Sequence, residues 1–287
     1  MNGILTLTHN CFDLTRKAIW SFATQDVDVI QAIDNGSTDG TRDWLEGNGW
    51  LLHANPTNAG VSSEWNRGLK WFFGHGADSV LVIGNDTWIP PYFFGELLSY
   101  NLPFVTGVAV DNMEQIQPVP TKCPLDPHPD FSAFLISRQC WQTVGRFDER
   151  MKLYASDCDW HIRAHRLGIP LWKASCEFYH ERSSTMKYAP EAERAELVAQ
   201  ANKDRAEFYL QHGCLPGTPE YEAIFAGIQG AQTGPAAGSS GNNQQIRILP
   251  ANDIPSTVWE ELRSYDDAMN LASGVPALEP SDPEKKS

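Results

Sequence analysis

The sequence has no run of 18 apolar residues, no C-x-x-C pair and no surplus of basic charge. A membrane-crossing helix needs about 20 consecutive apolar residues, so none is expected, and the opening "MNGILTLTHN" reads as a strand rather than a leader. The six cysteines, at positions 11, 123, 140, 158, 176 and 214, are scattered. That scatter argues against structural zinc or a disulfide framework, and for reduced thiols in a cytoplasmic protein. Lys and Arg number 22 against 36 Asp and Glu, a net charge of −14. Bulk nucleic-acid binding is therefore not expected, although one local groove is compatible with this balance. A glycine-rich loop with a lysine after the first strand is also missing, which counts against a nucleotidyltransferase.

What is present suffices for a large core: 41% of 287 residues are hydrophobic, ten of them Trp. Strand and helix patterns alternate from the start. Strands are expected at 4–8, 27–33, 50–53 and 80–83. Helices are expected at 13–22, from 41 to 45, from Ser62 as cap to about Phe73, and at 92–98. This βαβαβα order predicts a mostly parallel sheet with helices on both faces. Beyond residue 104, strands at 104–110 and 131–137 flank the proline-rich "QPVPTKCPLDPHPD", which is long and stiff enough for a lid. Helices follow at 138–144, 157–167 and 190–212. The expected organisation is a catalytic domain over 1–213, a Gly/Ser/Gln-rich linker over 214–250, and a tail over 251–287 with one amphipathic helix at 256–272.

Several strand ends carry polar groups. "VLVIGNDTWIPP" is a strand apolar on both faces that stops at Gly84, Asn85 and Asp86. Ligands of open α/β sheets bind at such carboxyl ends, so Asp86 is a candidate ligand-holding carboxylate as well as a candidate turn cap. "TLTHN" brings Thr8 to the end of the first strand, and "DNGSTDGT" brings Asp34 and Asn35 to the end of the second. Ser37, Thr38 and Asp39 fit a helix N-cap equally well. In "NAGVSSEWNRGL", Gly60 permits close backbone approach and the helix start at Ser62 suits an anion such as a diphosphate. "YASDCDWHIRAHRLG" starts a helix with Asp157 and Asp159 between Tyr154 and Trp160. His161 and His165 are spaced as metal ligands or as a solvated helix face.

In this order "ILTLTHN", "DNGSTDGT", "NAGVSSEWNRGL", "VLVIGNDTWIPP", "FSAFLISRQCWQTVGRFDERM", "YASDCDWHIRAHRLG" and "FYH" resemble the inverting family 2 glycosyltransferases over about residues 1–212. The closing "NKDRAEFYLQHG" is similar to that of rhamnosyltransferase-like members. The resemblance implies a GT-A fold and a nucleotide-sugar donor. It implies donor binding by Thr8, Asp34, Asn35, Gly60, Asn66 and Asn85, a divalent cation (Mn²⁺ or Mg²⁺) held by Asp86 and His180, and Asp157 as general base. Gly84 stands where the family's metal motif has its first Asp, and Ser156 stands where a Glu precedes the base. The expected chemistry is metal-assisted single displacement onto an acceptor hydroxyl. The acceptor stays open among a glycan, a lipid-linked sugar, a protein side chain and a modified nucleobase. The alternatives are a nucleotidyltransferase-like enzyme and an inactive module that only binds nucleotide sugars.

Overall fold

The structure is a computed structural model that describes residues 1–117 and 129–226. The lid and tail-helix expectations fall on 118–128 and 227–287 and lie outside the described residues.

Four parallel strands open the chain: β1 (Asn2–Thr8), β2 (Val29–Asp34), β3 (Leu51–Ala54) and β4 (Ser79–Gly84). The later strands are β5 (Thr87–Trp88), β6 (Phe104–Val110), β7 (Ala133–Ser137) and β8 (Trp172–His180). Together they form one eight-stranded sheet in the order β3-β2-β1-β4-β7-β6-β8-β5. Strand β7 runs antiparallel to both neighbours, β6 runs parallel to β8, and the short β5 pairs antiparallel with β8. The expected α/β sheet of GT-A type is present, with antiparallel pairings confined to its second half.

The continuous apolar run of β4 follows from burial on both sides, because side chains alternate across a strand. Leu81 and Ile83 pack under α1 (Phe12–Phe22), α2 (Thr41–Gly47) and α4 (Phe93–Ser99). Val80 and Val82 pack on the opposite face under α3 (Val61–Gly74), α5 (Arg138–Val144) and α6 (Ser156–Arg166). Helix α3 comes unusually close to β1. A Cβ on Gly68 would stand 2.4 Å from a methyl of Leu5, and one on Gly3 would stand 2.2 Å from the Phe72 ring.

Besides the two-residue β5, three longer elements escaped the sequence reading. Strand β8 alternates inward Ala174, Cys176 and Phe178 with polar residues and carries no bulky aliphatic signal. Helix α7 (Ser184–Tyr188) follows it. Helix α9 (Pro219–Phe225) lies in the segment assigned to a linker, yet "TPEYEAIF" carries a start signal, with Thr218 as cap and Pro219 in the first turn. Tyr221 and Phe225 of α9 pack with Met151, Ile162 and Phe208, the last from the long α8 (Glu191–His212).

We expect a chain ending after residue 226 to melt within a few degrees of the full chain. A chain ending after Gly213 loses two buried aromatics. That should cost about 3–5 kcal/mol, roughly 6–15 °C in Tm for a domain of this size. Equal melting temperatures for the two truncations would show that α9 contributes nothing to the domain.

Candidate active site

The carboxyl ends of β1 and β2 meet because Thr8 is in register with Asp34. The Thr8 hydroxyl donates to Asp34 Oδ1 at 3.1 Å, and the Ser37 amide donates to Oδ2 at 3.0 Å. Asp34 is fully buried, so its contribution is to hold this turn in shape. Asn35 reaches the next loop. Its Oδ1 accepts from Asn55 Nδ2 at 3.1 Å and the Ala59 amide at 2.8 Å, and its Nδ2 donates to Asn58 Oδ1 at 3.0 Å and the Gly60 carbonyl at 3.2 Å. Asp39 proves to be a stitch between helix starts, accepting from the Thr41 amide and hydroxyl and from the Phe12 amide. Burial pushes its carboxyl up, but those hydrogen bonds outweigh it and hold the group below the usual aspartate range.

The start of α3 differs from expectation. Gly60 has φ +98°, and a Cβ there would stand 2.8 Å from the carbonyl oxygen of Lys152. The close approach that this glycine allows is therefore to the chain's own backbone. The Val61 amide donates to the same carbonyl at 2.6 Å, and the Ser62 hydroxyl donates to the Met151 carbonyl rather than capping the helix. This helix terminus is thus occupied by the 151–152 segment. Asn66 is likewise spent on the fold: its Nδ2 donates to the Phe147 carbonyl at 2.9 Å, and its Oδ1 accepts the Phe147 amide at 2.8 Å. It is fully buried and does not line the cavity described below.

Strand β8 brings His180 beside the end of β4, opposite Thr87 of β5. His180 Nε2 lies 3.4 Å from Asp86 Oδ1, and the Ser184 hydroxyl of α7 donates to Asp86 Oδ2 at 2.6 Å. A Cβ on Gly84 would stand 2.8 Å from Asp86 Oδ1, so the glycine leaves room for the Asp86 carboxylate. The pair fits a divalent cation. Two adjacent ligand atoms around Mg²⁺ sit about 3 Å apart, and no Lys or Arg salt-bridges Asp86 among the described residues. No cluster of three or more metal-ligating side chains occurs among the described residues, so this pair would leave positions for a ligand's oxygens.

Thr8, Asn35, Asn85 and His180 all line one cavity of about 350 Å³, within the range of small-ligand sites. Asn85 is steadied by donating to the Thr15 hydroxyl at 2.7 Å. The sequence reading missed Trp65 from α3, His9 from the end of β1, and Leu197 and Ala201 from α8, which also form the walls. Only His9 had a visible signal, its place at a strand's carboxyl end. Phe131 and Tyr154 close the side that leads toward the start of α6.

Asp157 stands at that start, beyond the cavity's own lining. The turn before it is tightly held. Ala155 adopts φ +64°, a left-handed conformation costly for a residue with a Cβ. Buried Asp204 of α8 anchors this turn by accepting the amides of Leu153 at 2.7 Å and Tyr154 at 2.9 Å. Asp157 keeps a partly exposed edge, yet burial raises its carboxyl above the ordinary aspartate value, and the charge of Asp130 adds to the rise. Its neighbour Asp159 is fully engaged, with Arg163 Nε at 2.9 Å and His212 Nε2 at 3.1 Å. Of the two carboxylates, Asp157 has no cationic partner among the described residues. His161 and His165 form neither a metal pair nor a solvated face. The His161 ring stacks on Phe225 of α9 with centroids 4.1 Å apart, and the His165 ring meets it tilted by 57° at 5.3 Å.

Residues 4–162 match the family model described as glycosyl transferase family 2. No curated protein matches the sequence significantly. Among solved structures, the chain is similar to glucosyl-3-phosphoglycerate synthase from Mycobacterium tuberculosis, in complex with Mn²⁺, UDP and glucosyl-3-phosphoglycerate. The TM-score is 0.53 at 16% identity, covering 76% of this chain and 81% of that one. It is also similar to S. aureus TarS 1–349 in complex with UDP-GlcNAc, with a TM-score of 0.50 at 15% identity, covering 78% of this chain and 79% of that one. At these identities the likeness establishes the fold. No described helix is long and apolar enough to cross a membrane.

Proposed function

The chain belongs to glycosyl transferase family 2, and we propose that it moves a sugar from a nucleotide-sugar donor to an acceptor hydroxyl with inversion at the anomeric carbon. The observation that carries this reading is one cavity lined both by His180, which lies beside Asp86, and by Tyr154, which lies just before Asp157 in the chain. Single displacement needs both ends: stabilisation where the diphosphate leaves, and a carboxylate where the acceptor proton departs. The complexes of the similar folds, with Mn²⁺ and UDP in one and UDP-GlcNAc in the other, support a sugar nucleotide as the ligand.

In this reading the residues divide the work as follows. Asp86 and His180 would hold a Mn²⁺ or Mg²⁺, which when bound offsets the charge of the leaving diphosphate. Asn85 and Thr8 line the donor cavity with polar groups, while Asp34 and Asn35 hold its rim rigid. Asp157 takes the proton of the acceptor hydroxyl, and its raised pKa brings it nearer to the range useful for a base. Asp159 keeps α6 attached to α8.

A thermal-shift screen of UDP-, GDP- and dTDP-sugars, with and without Mn²⁺, tests the reading. One nucleotide class should raise Tm, and more so with metal. A flat response across the panel would overturn the donor assignment.

A further inference from the structure

The donor cavity must accept a diphosphate, yet among the described residues none that lines it is Lys or Arg. His9 stands out against that background, because it lines this cavity and the two clefts beside it. Its Nδ1 lies 2.9 Å from the Asn35 carbonyl oxygen, and its Nε2 lies 2.6 Å from Glu193 Oε1 on the first turn of α8. The Asn10 amide, at 3.5 Å from Nε2, is too far to compete with the carboxylate. An oxygen acceptor faces each ring nitrogen, so the ring is held by both of its edges.

The carbonyl contact fixes the ring to the β2 end of the sheet, whereas the Glu193 contact crosses 184 positions of sequence to α8. The two contacts differ in permanence. Glu193 is part-exposed near a helix N-terminus, while the Asn35 carbonyl belongs to a loop held by its own buried side chain.

We propose that His9 is a donor-binding residue that exchanges Glu193 for the donor's diphosphate: Glu193 holds the His9 ring through Nε2, and an incoming phosphate oxygen takes its place. The inference rests on the reading of this cavity as a nucleoside-diphosphate site. Glu193 then acts as a competitor for the same ring nitrogen, so that removing it favours the ligand. Gln at position 9 would bind a nucleoside as well as His9 does, because only the phosphates take the place of the Glu193 carboxylate.

Calorimetric titration of UDP, GDP, uridine and guanosine into the full chain with Mn²⁺ tests this, using wild type, His9→Gln and Glu193→Gln. Loss of a hydrogen bond to a charged phosphate should weaken the diphosphate about 10-fold or more in His9→Gln, with the nucleoside unchanged. Glu193→Gln, on a half-exposed helix turn with little risk to folding, should tighten the diphosphate several-fold and leave the nucleoside alone. Equal weakening of nucleotide and nucleoside in His9→Gln, or weaker diphosphate binding in Glu193→Gln, would overturn the exchange while leaving the site reading intact. Absence of nucleotide binding to wild type would overturn both.

Discussion

Asp157→Asn should lower turnover by about 10²–10⁴-fold, the usual worth of a positioned general base, while donor affinity stays within about 2-fold of wild type. Asn keeps the size and hydrogen bonding of Asp but cannot take a proton. The helix-cap reading predicts a different result, since Asn caps as well as Asp. Ala155 occupies the cap position of α6, while the Asp157 carboxylate bonds the backbone amide of Cys158 in the first turn, so this comparison decides between the two roles. The pH profile carries the same signature. Burial, then the charge of Asp130, holds the Asp157 carboxyl above the ordinary range. The base acts only when ionised, so kcat/KM should fall on acidification at a pH above that of an ordinary aspartate, and Asp157→Asn should abolish this limb. Asp159→Asn is the control. It breaks the ties to Arg163 and His212, so it should lower Tm with a much smaller effect on turnover. Greater sensitivity at Asp159 would make that residue the base and require the start of α6 to rearrange.

The second large effect concerns the cation. With Asp86 and His180 as its protein ligands, EDTA should reduce transfer at least 100-fold, and added Mn²⁺ or Mg²⁺ should restore it. Neutralising a leaving diphosphate supplies several kcal/mol to the transition state. Asp86→Ala should weaken nucleotide binding when Mn²⁺ is present and change it little in EDTA. The Ser184 hydroxyl would lose its acceptor in this variant, a cost expected in stability and not in metal response. Full activity in EDTA would remove the metal from the mechanism and leave the fold assignment untouched.

The legible parts of the molecule are those whose signal is local. Val80–Ile83 reads as a doubly covered strand because its side chains face Phe93 and Ala18 on one side and Phe72 and Trp160 on the other. The start of α6 reads as a site because Asp157 and Asp159 crowd one helix turn, but only the structure separates them, through the distant partner His212. Gly60 was legible as a close approach and not as to what; its neighbour is Lys152, far along the chain. Asn66 was assigned by its place in a motif, and its buried amide turns out to fasten the 147–149 turn. The walls supplied by Leu197 and Ala201 belong to a helix whose sequence reads as an ordinary polar surface helix. Nothing local says that it roofs a cavity.

The claim beneath all of this is one displacement between Asp86 and Asp157, with no covalent intermediate. The direct measurement is proton NMR of the sugar released from an α-linked nucleotide-sugar donor, with Mn²⁺ and water as the only acceptor, recorded before mutarotation. The account predicts that the β-anomer appears first and that its release is lost in Asp157→Asn. Initial release of the α-anomer by the wild-type chain would contradict it.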